Sequence, residues 1–129
     1  MSSFDLTSMK EETKGWLNKA KEDIETARYN LKGKKLNAAV FFSQQASEKS
    51  LKAVQIEKLG RFDRIHDLLA LAKSVNAPED IIESCASVNP YYTITRYPDS
   101  EDKINEKTAK SLLESSEKVV RWAKKILKR

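Results

Sequence analysis

One cysteine, one histidine, three glycines and three prolines are all that this 129-residue chain holds of the residues that most often staple, break or catalyse. Cys85 has no partner, so neither a disulfide scaffold within the chain nor a cysteine-based zinc site is available. His66 is the single histidine, and metal centres draw on several His, Cys or carboxylate ligands at close spacing. No metal and no cofactor is therefore expected. A glycine-rich phosphate loop is missing, as is any recognised nucleophile motif. Apolar runs last only a few residues, far below the ~20 that a membrane span needs. The opening stretch MSSFDLTSMKEETK does not follow the basic-then-apolar order of a secretory signal. A cytoplasmic protein with no membrane contact is the expectation.

What is present is charge. Lys and Arg number 24 against 19 Asp and Glu, a formal net charge of +5. The excess is uneven. Residues 1–65 carry 13 basic and 9 acidic side chains, residues 66–117 carry 5 and 10, and residues 118–129 carry six basic residues and no acid. A basic tail can hold phosphates, yet cations at a helix C-terminus are also favoured by the macrodipole, so the tail needs no ligand to explain it. The length suits a single domain over 1–129, with its core at about 8–127. Such a chain should bury roughly two-thirds of its unfolded surface.

Scarce Gly and Pro point to helices. Ser8 and Glu11 have capping-box spacing, which predicts a first helix starting near Ser8. Leu17, Ala20, Ile24, Ala27 and Leu31 follow at steps of 3, 4, 3 and 4, and Gly33 should close the helix in a left-handed conformation. A second helix is expected from about Asn37 to Leu59, ended by Gly60 in the same way and packed antiparallel to the first. Its apolar residues fall on two faces: Ala38, Phe42, Ala46, Ala53 and Ile56 on one, Val40, Leu51 and Val54 opposite. That pattern predicts a central helix or one at a subunit contact. Gln45 and Lys49 lie inside the first stripe with Lys52 at its edge, where polar groups need partners or a wet cleft. A shorter helix ending around Val75 and another at about 79–87 come next. Residues Pro90–Asn105 read as a loop; YYTIT has strand composition but no second strand to pair with. The last helix starts near Asn105 and keeps the 3–4 apolar spacing to the end. The fold class is all-α, an up-and-down bundle of four or five helices.

Two places invite chemistry. Arg61 stands five residues before His66, which Asp67 follows directly. Histidine exchanges a proton near neutral pH, Asp67 can orient it, and arginine stabilises charge on a phosphate. Together they could cleave RNA at its 2′-hydroxyl. The plainer reading has His66 at a helix start and Asp67 serving the N-terminal dipole. The second place holds Tyr91, Tyr92, Arg96, Tyr97 and Pro98, three of the four tyrosines with the region's only arginine. Aromatics stack on bases and arginine pairs with phosphate; equally, tyrosines cover bundle ends.

The helix AAVFFSQQASEKSLKAVQIEKLG, the step HDLLAL and the segment YYTITRYPD together resemble the HEPN family of small helical proteins, in the branch with an H-D-L step and an R-Y-P loop. The matching positions are Ala39, Phe41, Gln44, Gln45, Ala46, Glu48, Lys49, Leu51, Lys52 and Ala53, then His66, Asp67 and Leu68, then Tyr92, Arg96, Tyr97 and Pro98. The resemblance spans about residues 12–127. It implies a helical bundle, a homodimer with a cleft between subunits, and a minimal nucleotidyltransferase as partner in a toxin–antitoxin-like pair. It also implies binding of a nucleotide or RNA phosphate, and the residues expected to form the binding site are Gln45, Lys49, Asp67, Tyr92, Arg96 and Tyr97, with His66 and Gln45 orienting the ligand. The rival is a metal-independent ribonuclease using His66 with Arg61 or Arg96. Ribonuclease members usually place a polar residue after the arginine and x-Tyr after the histidine, whereas here Phe62 follows Arg61 and Asp67-Leu68 follow His66. A third possibility is a purely structural scaffold subunit.

Overall fold

The computed structural model describes residues 9–97 and 104–128. Among these residues there are five helices and one helical turn, and no strand: α1 Glu11–Lys32, α2 Leu36–Leu59, α3 Leu68–Ser74, α4 Glu79–Val88, the turn α5 Tyr91–Ile94, and α6 Glu106–Leu127. The all-helical bundle expected from sparse Gly and Pro is what forms.

The apolar stripe of α1 buries Leu17, Ala20, Ile24 and Ala27 as its spacing predicts. Its start differs from the capping-box expectation. The helix begins at Glu11, and its N-cap Lys10 makes no side-chain cap; Ser8 lies outside the described residues. The α1 start is instead held by the last turns of α2. Glu57 accepts from the Lys10 backbone N–H at 3.1 Å and from Thr13 Oγ1 at 2.9 Å, while Lys10 Nζ donates to the Ile56 carbonyl. These links, with Lys49 to Asp23 farther along, set α1 and α2 antiparallel. The connection also corrects the sequence expectation at Gly33. Its φ is −83°, and the left-handed residue is Lys34 at φ 63°. The closing bond, Lys35 N–H to the Asn30 carbonyl at 2.8 Å, wraps around that residue, one position later than the glycine. Gly60, by contrast, does take the left-handed conformation, at φ 75°.

Helix α2 is central. Fourteen of its 24 residues are buried, seven of them polar or charged, so neighbours cover nearly all of its circumference. Val40, Leu51 and Val54 enter the main core with Leu68 and Leu71 of α3, Cys85 and Val88 of α4, and Val119 and Ala123 of α6. A fully buried side chain of this type contributes roughly 1.5–3 kcal/mol. On the other side, Ala20, Ala27 and Ala46 with Ile24, Leu113 and Val120 form a thinner layer joining α1, α2 and α6. Small side chains there let the helices approach closely. Asn105 caps α6 by accepting from the Thr108 N–H at 2.8 Å, as its position just before the helix suggests.

The segment read as one loop from Pro90 is corrected in part. Pro90 is αR (φ −61°, ψ −21°), and Tyr91–Ile94 forms a helical turn whose Tyr91 carbonyl accepts from Thr95 N and Thr95 Oγ1. Packing overrides the strand-like composition here. Tyr91 leans on the main core, and Tyr92 is drawn under His66.

Candidate functional site

Gln44, Glu48, Lys52 and Gln55 recur on α2 at steps of four, four and three, a polar stripe that the helix carries into the interior. Glu48 is its hub. It accepts from Lys52 Nζ at 2.8 Å and Gln44 Nε2 at 3.2 Å, and both its oxygens lie 3.1 Å from His66 Nδ1. Burial pushes the Glu48 carboxyl up, but the Lys52 and His66 bonds and both positive charges outweigh it, so the group sits below its ordinary value. An ionised carboxylate only accepts, so Nδ1 of His66 carries the hydrogen. In the neutral ring, Nε2 is then left as the acceptor. The His66 side chain is 51% exposed, so that chemistry is reachable from solvent.

Above Glu48 the site is a column of flat groups. His66 stacks on Tyr92 with ring centroids 4.3 Å apart and planes 19° from parallel. The Arg96 guanidinium lies 3.7 Å from the Tyr92 centroid and 4.7 Å from that of Phe41, while its Nη1 donates to the Tyr92 carbonyl. Stacked cation and rings of this kind hold a guanidinium in one orientation. Behind the hub, Lys52 Nζ lies 5.8 Å from the Trp16 ring and 5.6 Å from Phe62, so its charge is faced by aromatic surface as well as by Glu48.

The structure brings together His66, Tyr92 and Arg96 of the sequence-predicted residues, and it gives the others different surroundings. Arg61 pairs with Asp63 at 2.6 Å, and Asp63 is in turn held by both ends of the Gln55 amide, so Arg61 anchors the turn rather than facing His66. Asp67 does not orient His66. Its Oδ1 accepts from Leu69 N–H, Ala70 N–H and Asn89 Nδ2, which caps α3 and ties it to the end of α4. Lys49 is committed to the buried Asp23 at 2.7 Å and clamps α1 to α2. Gln45 is one step removed, donating to Gln44 Oε1 at 3.1 Å. Tyr97 is exposed at 55%, and Pro98 lies outside the described residues. Among the described residues, no group of three His, Cys, Asp or Glu side chains is placed to hold a metal ion. No helix there is long and apolar enough to cross a membrane.

Sequence reasoning missed Glu48 as a site residue, along with Lys52 and Phe41. The signal was legible: an acid at the centre of a polar stripe, in a helix with apolar residues on both faces, must have partners.

The HEPN domain model matches residues 13–127. Among solved structures, the fold is similar to TT1696 from Thermus thermophilus, with a TM-score of 0.81 and 25% identity, covering 90% of this chain and 98% of that one. It is also similar to ST0689, an archaeal HEPN homologue (TM-score 0.75, 28% identity, 89% and 97% covered). A HEPN domain protein of Thermotoga maritima shares the fold, at 22% identity and a TM-score of 0.72 over 89% and 98% of the two chains. No curated protein matches the chain significantly. A family match across nearly the whole chain, on a bundle of the same architecture, establishes that this protein belongs to the HEPN domain family.

Proposed function

We propose that this chain is a nucleotide- or RNA-binding HEPN module of the H-D-L/R-Y-P type, whose binding centre is the column of His66, Tyr92 and Arg96 standing on Glu48. The observation that carries this reading is the stacking of Arg96 on Tyr92 and Phe41, with the half-exposed His66 ring also stacked on Tyr92. A guanidinium held by aromatic faces suits a phosphate, and an imidazole beside it supplies a hydrogen-bonding edge for a base, ribose or phosphate oxygen. The module acts as a homodimer and partners a small nucleotidyltransferase in a toxin–antitoxin-like pair. Apolar surface near the column supports a protein contact: Phe41 and Phe42 are only half-buried and pack edge to face, and Trp16 and Gly15 line an open hollow of about 490 Å³. Calorimetric titration with ATP and with a short RNA tests the reading. Arg96→Ala and Tyr92→Ala should each weaken binding about tenfold or more; unchanged affinity in both variants would sink the assignment.

A second reading, a metal-independent ribonuclease, is favoured by one observation: Glu48 fixes Nδ1 of His66 and leaves Nε2 for proton transfer. Arg96 rather than Arg61 would then stabilise charge, because Arg61 is held by Asp63. Incubating the protein with RNA in EDTA separates the readings. A binder leaves the RNA intact, whereas the nuclease cleaves it and loses activity in His66→Ala.

A further inference from the structure

Helices α1 and α6 run antiparallel, and the charges along their seam change character from one end to the other. At one end opposite charges meet: Lys34 with Glu106 at 2.9 Å and Arg28 with Glu117 at 2.7 Å. At the other end like charges face each other. Lys21 of α1 and Lys124 of α6 line one groove, and slight burial, then the charges of Lys21, Lys128 and Arg28, lower the basicity of Lys124. Among the described residues neither Lys21, Lys124 nor Arg121 has an ion pair. The macrodipole explains cations in the last turn of α6. It does not explain Lys21, which stands mid-helix on α1.

The like-charged end is also concave. A groove of about 310 Å³ runs between the helices on a floor of Ile24 and Val120, with Lys21, Arg121 and Lys124 on its walls. Arg121 and Lys124 also line a second, adjoining groove of about 620 Å³, which reaches Pro78, Ile81 and the half-buried Trp122. Together the two grooves gather seven of the chain's cations against three carboxylates, Glu25, Glu117 and Asp80, and so hold most of its net +5. A cationic track ending at a partly exposed indole is the arrangement that follows a single strand, with phosphates along the cations and a base on the aromatic face.

We propose that this track along α1 and α6 is a docking surface for single-stranded RNA, separate from the column on α2 and α5. It goes beyond the binding centre described above and does not need His66 or Arg96 to act. The strand is held by its backbone and by one stacked base, so binding should be nearly indifferent to sequence and strongly dependent on salt.

The test is fluorescence anisotropy of a labelled oligouridine about a dozen nucleotides long, titrated with the full chain at several salt concentrations. Lys21→Glu/Arg121→Glu/Lys124→Gln should weaken binding roughly tenfold or more and flatten the log–log salt slope by about 2. Arg121→Gln alone, at an exposed position, should weaken it in the same sense and guards against a folding defect in the triple variant. Trp16→Phe leaves Trp122 as the sole indole, and its emission should be quenched on binding. Loss of oligouridine binding in Arg96→Ala with no change in the triple variant would assign the RNA to the column and overturn the proposal. Affinity and salt slope unchanged in both the triple variant and Arg121→Gln would overturn the proposal. So would equal binding of duplex and single strand with no Trp122 quenching, which marks a plain counterion surface.

Discussion

Glu48→Ala is the substitution that most directly probes the interior of this protein. It removes a buried carboxylate and leaves Lys52, whose side chain is 6% exposed, without its partner at 2.8 Å. Breaking a buried pair by deleting one member typically costs about 3–5 kcal/mol, because the remaining charge is uncompensated. Two features pull the figure toward the lower end. Lys52 keeps its aromatic neighbours Trp16 and Phe62, worth roughly 0.5–2 kcal/mol to a desolvated cation, and His66 is half-exposed and can turn to water. We expect a cost of about 3 kcal/mol. At about 2.1 cal/mol/K per residue, unfolding this 129-residue chain carries an entropy near 0.27 kcal/mol/K, so the melting temperature should fall by roughly 11 °C. Glu48→Leu/Lys52→Met, which removes both charges and keeps the volume, should recover most of that loss. The pH dependence adds a second check. The carboxyl value is lower in the folded protein than in the unfolded chain, so its stabilisation is present above the unfolded value of about 4.5 and is lost as pH falls through the folded one. The wild type should therefore lose its advantage over the double variant on acidification. Urea melts at neutral and acid pH measure all of this. A cost under about 1 kcal/mol for Glu48→Ala, or a double variant no more stable than the single one, would refute the reasoning.

The glycines give a paired comparison: Gly60→Ala at φ 75° should cost about 1 kcal/mol in a urea melt, whereas Gly33→Ala at φ −83°, where an added Cβ makes only ordinary contacts, should be neutral or slightly stabilising. Burial raises the Cys85 thiol to about 12, so a disulfide reagent at mildly alkaline pH should label the native protein slowly and the urea-unfolded protein at once; fast native labelling would contradict its place in the core. Asp67→Ala removes the α3 cap and the Asn89 bond together and should cost about 1–2 kcal/mol by thermal melt, with little effect on RNA binding if its role is structural.

Much of the fold was legible because helices announce themselves locally. The 3–4 spacing of Leu17 through Leu31 places α1, Gly60 stops α2, and Asn105 starts α6. The α1 start was less legible, since Lys10 is held by Glu57, 47 residues away, rather than by a neighbour. Of the site, His66, Tyr92 and Arg96 could be singled out by residue type. That Asp67 is a cap and Arg61 an anchor could not, because adjacency in the chain says little about which way a side chain turns at a helix start.

By itself, then, the sequence determined an all-helical chain with a central, two-faced α2 and a family signature along it. Those follow from periodicity and motif spacing, which are local or one-dimensional properties. Only the tertiary structure decided that Glu48 is the partner of His66, that Tyr92 and Arg96 stack into one column with it, and that Lys21 and Lys124 line one groove across an antiparallel seam. Each joins residues from separate elements, and their approach is set by how the helices pack.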